Sequence, residues 1–163
     1  MRRANADDVS RIMDLERESA TAAHWSRQQY EGMLAASDPQ SAERVVLVAE
    51  NETAGVGSEI FGFLVARRVD VEWELENIVV ANELRRKGTG TLLLTELIIQ
   101  ARAAGGCAIL LEVRESSQDA RAFYRKMGFE KTGVRSPYYS APAENAIVYR
   151  LKLSIGFCAA PLS

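Results

Sequence analysis

The run 107–113, CAILLEV, is apolar at every position except Glu112. A run of this length is a strand's, and consecutive apolar side chains on a strand point to both faces of a sheet. Both faces then need cover, so the chain must build packed layers on each side of that sheet.

The flanking segments can supply those layers. After Gly90, residues Leu93, Leu94, Leu97, Ile98 and Ala101 recur at helical period and stop near Gly105-Gly106. Beyond the run, Ser116 with Asp119 fits a capping box, opening a helix whose stripe is Ala120, Phe123, Tyr124 and Met127. Nearer the start, Val9, Ile12, Met13 and Leu15 mark a helix within 7–19, and Ser26 opens a shorter one carrying Tyr30, Met33 and Leu34. Residues 44–50 and 59–68 read as strands joined in a hairpin by NETAGVGS, with a third strand over 71–81. Segments 128–134 and 146–153 read as the last two strands. In the second of these Ile147, Tyr149, Leu151 and Leu153 alternate with Val148, Arg150 and Lys152, as on a half-exposed strand. Strands first and then strand–helix–strand indicate a mixed α/β sheet. With 163 residues the chain can bury one core, so we expect a single domain over 1–154 and a tail over 155–163.

Composition removes several function classes. A formal charge of −2 leaves no electrostatic footprint for nucleic acid or an anionic membrane. No apolar run approaches the roughly 20 residues of a membrane helix, and MRRAN does not read as a secretory signal. Cys107 and Cys158 lie far apart and the single histidine, His24, lies elsewhere, which excludes a zinc-finger pattern; no metal is expected. Two thiols in a reducing cytoplasm are expected in preference to a bridge.

Between the third strand and the following helix stands ELRRKGTGTLLL. The spacing fails a Walker A loop, and Leu93 stands where the dinucleotide fingerprint needs a small residue. What remains is Arg85-x-x-Gly88-x-Gly90. Glycines let the backbone approach a pyrophosphate, N–H groups at the helix start point at it, and Arg85, Arg86 and Lys87 add charge. A glycine-bearing turn with a solvated basic patch fits the same residues.

Two residues could do chemistry. Glu112 is a costly lone carboxylate at the end of an apolar run, and burial raises a carboxyl pKa toward that of a base working near neutral pH. Tyr124 faces the protein body, where a phenol could give up a proton. Periodicity alone favours a strand-end carboxylate paired with an arginine and an ordinary core tyrosine.

Arg-x-x-Gly-x-Gly after a strand resembles the acetyl-CoA pyrophosphate loop of the GNAT superfamily of N-acetyltransferases. NIVV before it, LEVRESSQDARAFYRKMGF after it and RSPYY…ENAIVYRLKL at the end resemble RimI-type enzymes, which acetylate protein N-termini. HWSRQQY is similar to the segment joining that family's first two helices. The resemblance implies a mixed, mostly antiparallel sheet of about six to seven strands flanked by about four helices. It implies acetyl-CoA as cosubstrate, held by the strand of Ile78, Val79 and Val80, by Arg85, Arg86, Lys87, Gly88, Thr89, Gly90 and Thr91, and by Ser117. Glu112 would then deprotonate the amine through water, Tyr124 would protonate the CoA thiolate, and no acyl-enzyme would form. Tyr138 and Tyr139 would flank the acceptor's first residues.

The acceptor implied is a protein or peptide N-terminus. The family's name comes from an N-terminal alanine of a ribosomal protein, though relatives have wider tastes. A small-molecule amine such as a polyamine or amino acid, and a non-catalytic acyl-CoA-binding module on the same fold, are the alternatives. Glu72, Glu74 and Glu76 alternate along one strand face. Glu74 or Glu76 could replace Glu112 as base or receive a basic peptide; a solvated acidic face is the plain alternative. Ser117 stands where RimI-like enzymes usually carry asparagine, and Pro137 replaces the asparagine before the tyrosine pair.

Overall fold

The computed structural model describes residues 1–19, 22–35, 44–53, 57–140 and 143–153. Its strands are β1 (Arg2–Arg3), β2 (Arg44–Thr53), β3 (Gly57–Val69), β4 (Glu72–Val80), β5 (Ala108–Arg114), β6 (Glu130–Ser140) and β7 (Ala143–Lys152). Its helices are α1 (Val9–Arg17), α2 (Arg27–Ala35), α3 (Thr89–Ala103) and α4 (Gln118–Lys126). The strands form a seven-stranded sheet in the order β1-β2-β3-β4-β5-β7-β6. The chain divides into two compact units, Met1–Val69 with Leu75–Leu97, and Asp70–Glu74 with Ile98–Ser163. No helix among the described residues is long and apolar enough to cross a membrane.

In the first unit β2 and β3 pair antiparallel, as the turn-forming stretch between them predicts. β1 adds antiparallel to β2, with Arg2 opposite Val48. Two residues make a weak strand by themselves; Arg2 is held in addition by Asp8 and Glu50, with Nη1 2.7 Å from Asp8 Oδ2. α1 buries Val9, Ile12 and Leu15 against Val46, Val48, Phe63 and Val65. Each such chain contributes about 1.5–3 kcal/mol when fully buried. Ser26 and Gln29 cap α2 reciprocally, the Ser26 N–H donating to Gln29 Oε1 (2.8 Å) and the Gln29 N–H to Ser26 Oγ (3.3 Å).

In the second unit β5 and β6 each pair antiparallel with β7. Gly106 closes α3, its N–H donating to the Ala101 carbonyl at 2.8 Å. A Cβ on Gly106 would lie 2.8 Å from that oxygen and 2.8 Å from Trp73 Cδ1, so only glycine fits.

Four expectations need correction. β5 is not covered evenly: Ala108, Ile109, Leu111 and Val113 are buried, while Leu110, Glu112 and Arg114 are half-exposed. The Ser116–Asp119 capping box does not form; α4 begins one residue later, with Ser117 at the N-cap and no side-chain cap hydrogen bond. RSPYY, which lies beyond the expected end of its strand at Val134, is part of β6, which keeps pairing on both sides of an irregularity. Arg135 faces Ala146 and Tyr139 faces Glu144, so Ser136, Pro137 and Tyr138 bulge opposite Asn145. Finally, Cys107 is disulfide-bonded and not a free thiol. The chain's other cysteine, Cys158, and the expected tail lie outside the described residues.

Candidate active site

Strand register builds the site in the second unit. Glu112 lies opposite Val148, and Arg114 opposite Ala146, on β7. Across β7, Gly133 faces Val148 and Arg135 faces Ala146. Residues paired across a ladder share a face, so Glu112, Arg114, Arg135, Glu144 and Tyr139 all project from one side of the sheet. β7 contributes only alanine and valine between the two charged rows, and β6 offers Gly133 beside them. The long Arg135 side chain can therefore cross β7 and reach Glu112, with Nη1 2.8 Å from Oε1.

Glu112 is thus neither lone nor fully buried: its side chain is 22% exposed and ion-paired. The Tyr138 hydroxyl also donates to this carboxylate, and that hydrogen bond above all pushes the phenol up to about 12. The two tyrosine rings meet edge to face, with centroids 5.0 Å apart. Arg114 Cζ stacks 4.0 Å from the Tyr139 ring centroid, while Nη1 is 2.8 Å from Glu144 Oε1. Arg114 and the Ser116 N–H hold the Glu144 carboxyl below its ordinary value. One connected network therefore links the expected base to both expected acceptor tyrosines.

Tyr124 stands apart from that network. α4 buries its ring against Phe129 (5.7 Å) and Tyr149 (6.4 Å), and Tyr149 projects from the face opposite Glu112. Burial pushes its phenol up, and nearby Tyr139 adds to the shift. Ser117 donates its N–H to the Arg114 carbonyl and accepts from the Arg121 N–H.

The first unit holds the glycine loop. Arg86 (φ 62°) and Gly88 (φ 93°) both adopt left-handed backbone, and nothing lies within 4 Å of a Cβ built on Gly88. The first bond of α3 runs from the Leu92 N–H to the Gly88 carbonyl, so the N–H groups of Thr89, Gly90 and Thr91 have no partner inside the helix. Left-handed turns leading into a free helix N-terminus, with Arg85, Arg86 and Lys87 alongside, fit a pyrophosphate. Arg85 Nε donates to the Val80 carbonyl (3.1 Å), tying this loop to the end of β4. On β4, Val79 is buried while Ile78 and Val80 are half-exposed.

The acidic row is not simply solvated. Both Glu76 oxygens accept from Arg44, at 3.0 and 3.1 Å, and Arg67 lies 3.7 Å away. Glu72 pairs with Arg150, and Glu74 is engaged as well. The sequence reading missed Glu16 and Asn77. Glu16 is 2% exposed, and its Oε1 accepts from Asn77 Nδ2 and from the His24 N–H, each at 2.8 Å. The available signal was parity: Asn77 falls in the buried register of β4, beside Leu75 and Val79.

The acetyltransferase (GNAT) family model matches residues 9–129. The [ribosomal protein bS18]-alanine N-acetyltransferase of Haemophilus influenzae is 39% identical over 94 residues, 56% of this chain and 64% of that protein. The Escherichia coli protein of the same name is 35% identical over 95 residues, 57% of this chain and 64% of its own length. The matched stretch thus spans less than two thirds of these relatives. The crystal structure of the ribosomal-protein-S18-alanine N-acetyltransferase from Escherichia coli covers 99% of this chain and 97% of its own, with TM-score 0.74 and 24% identity. Arabidopsis thaliana NAA60 in complex with acetyl-CoA covers 93% and 97%, with TM-score 0.79 and 15% identity, a likeness of fold alone. With the family model matching most of its length, the chain belongs to the acetyltransferase (GNAT) family.

Proposed function

We propose that this chain transfers the acetyl group of acetyl-CoA to the α-amine of a protein N-terminus, with an N-terminal alanine of a ribosomal protein as the leading acceptor. The observation that carries this reading is the network joining Glu112 to Tyr138 and, through the paired rings, to Tyr139. The names of the relatives supply the acceptor class.

Bound acetyl-CoA would supply a thioester carbonyl and a thiol leaving group. The loop from Arg85 to Thr91 and the α3 N-terminus would hold its pyrophosphate, Ile78–Val80 its pantetheine arm, and Ser117 a further contact. Glu112 takes the proton of the attacking amine, through water. An α-amine titrates near ~8, so about a tenth is already neutral at pH 7, whereas a lysine amine near ~10.4 asks far more of the base. A backbone N–H of β4 would be the donor to the thioester carbonyl oxygen as negative charge builds there. Tyr124, its phenol pushed up by burial, stays protonated at neutral pH. Full transfer to a thiolate near ~8.5 would run uphill, so its help is a hydrogen bond that strengthens as the thiolate develops. Glu76, clasped by Arg44, is the weaker candidate for base.

Purified protein offered acetyl-CoA with peptides bearing free N-termini and with free amines, scored by mass spectrometry, tests the reading. Acetylation at the peptide α-amine is expected. Acetylation of spermidine but of no peptide would replace it with a small-molecule enzyme.

A further inference from the structure

Three arginines, Arg114, Arg135 and Arg150, project from the face that carries Glu112; Arg150 pairs with Glu72, and the other two are held differently. Arg114 is clamped: it pairs with Glu144 at 2.8 Å, lies 4.0 Å over the Tyr139 ring, and its side chain is 21% exposed. Arg135 is loose: its side chain is 62% exposed, and its guanidinium lies 5.9 Å from the Tyr138 ring centroid. Yet Arg135 reaches across β7 to place Nη1 2.8 Å from Glu112 Oε1. The carboxylate assigned above to the acceptor's amine already has a cation on it.

We propose that Arg135 is a specificity-determining residue that occupies the acceptor's ammonium position on Glu112, and that an N-terminal ammonium binds by displacing it. This rests on the reading of Glu112 as the carboxylate that meets the acceptor. A guanidinium and an ammonium present the same thing to Glu112, a cationic N–H donor beside an aromatic ring. A guanidinium is no nucleophile, so the occupant cannot itself be acetylated. Leaving is easy. An exposed ion pair is worth only about 0–1 kcal/mol, and a largely solvated side chain regains water and rotamer freedom on release. A group with no positive charge, such as a blocked N-terminus, gains nothing from Glu112 that Arg135 does not already supply, so the pair discriminates against it. Arg114 cannot serve in this way, because Glu144 and Tyr139 hold it in place.

The test is calorimetric binding of a short peptide with a free N-terminal alanine, in the presence of CoA, to wild type, Arg135→Gln and Arg135→Lys. Arg135→Gln is expected to bind up to about fivefold more tightly, the factor that corresponds to the upper end of an exposed pair's worth. Arg135→Lys should fall between the two, and the gain should shrink as salt rises. The same peptide with an acetylated N-terminus should show no gain. In a Glu112→Gln background the Arg135→Gln change should have no effect on binding. Equal, weaker or absent binding in Arg135→Gln, or an equal gain for the blocked peptide, overturns the proposal. Binding is read without turnover, so failure of this displacement is distinct from failure of acetyl transfer by the wild type.

Discussion

Glu16 and Glu112 are two carboxylates placed among apolar neighbours, one in each unit, and their surroundings part company. Glu16 is buried and receives two neutral donors, Asn77 Nδ2 and the His24 N–H, both fixed by backbone or by a buried strand position. Glu112 is partly open and holds a cation whose side chain is mostly in solvent, with the Tyr138 hydroxyl beside it. Burial alone therefore does not mark a base. The proposed role as base asks for a partner able to leave, and of these two carboxylates Glu112 is the one paired with a largely solvated side chain. Glu16 instead ties the His24 turn, itself at φ 55°, to β4.

Breaking this contrast should give effects of different kinds. The largest expected loss of stability comes from Glu16→Ala, which leaves the buried Asn77 amide without its acceptor, at about 1–3 kcal/mol, and also releases the part-buried His24 N–H. Chemical unfolding should show a drop of about 3 kcal/mol, and Glu16→Gln, which keeps an acceptor oxygen, should recover most of it. Next, Tyr124→Phe should lower kcat about a hundredfold, some 2.7 kcal/mol, with the acceptor KM little changed. Unchanged turnover would mean that Tyr124 is a core tyrosine only. A smaller effect concerns Asp8, whose carboxyl Arg2 holds below its ordinary value. The folded state then binds fewer protons than the unfolded one, so this stability is present above the ordinary carboxylate range and fades as pH falls through the depressed folded value. Arg2→Ala should remove about 1 kcal/mol near neutral pH and flatten that acid limb. The subtlest change is spectroscopic. The Tyr138 phenol sits up at about 12 because it donates to Glu112, so it stays protonated when the unfolded chain ionises near ~10. Its contribution to stability is lost as pH rises from there through about 12, and in Glu112→Gln an ultraviolet titration should find it moved back toward ~10.

Much of this was legible in the sequence, and the limits have physical causes. Apolar period located α1, α3, α4 and the principal strands, because each buries one stripe or face. Gly88 marked the turn that leads into α3, because its left-handed backbone favours glycine. β1 was invisible, since two arginines carry no apolar pattern and are held by Asp8 and Glu50. The expected strand stopped at Val134, short of β6's true end, because Pro137 breaks the alternation while the pairing resumes beyond it. The Arg135–Glu112 pair joins residues on non-adjacent strands and depends on the small side chains of Ala146 and Val148 between them. Cross-strand geometry of that kind leaves no local signature. Glu16 was overlooked because its position looks like the polar side of an amphipathic helix.

The most direct test of the central claim is steady-state acetylation of an alanine-starting peptide by wild type and Glu112→Gln at pH 7, with thermal unfolding measured alongside. The account predicts a loss of about a hundredfold or more in kcat, an unchanged KM for acetyl-CoA and nearly unchanged stability. Equal turnover in the two proteins would contradict it and would move the base elsewhere, with Glu74 and Glu76 the first residues to examine.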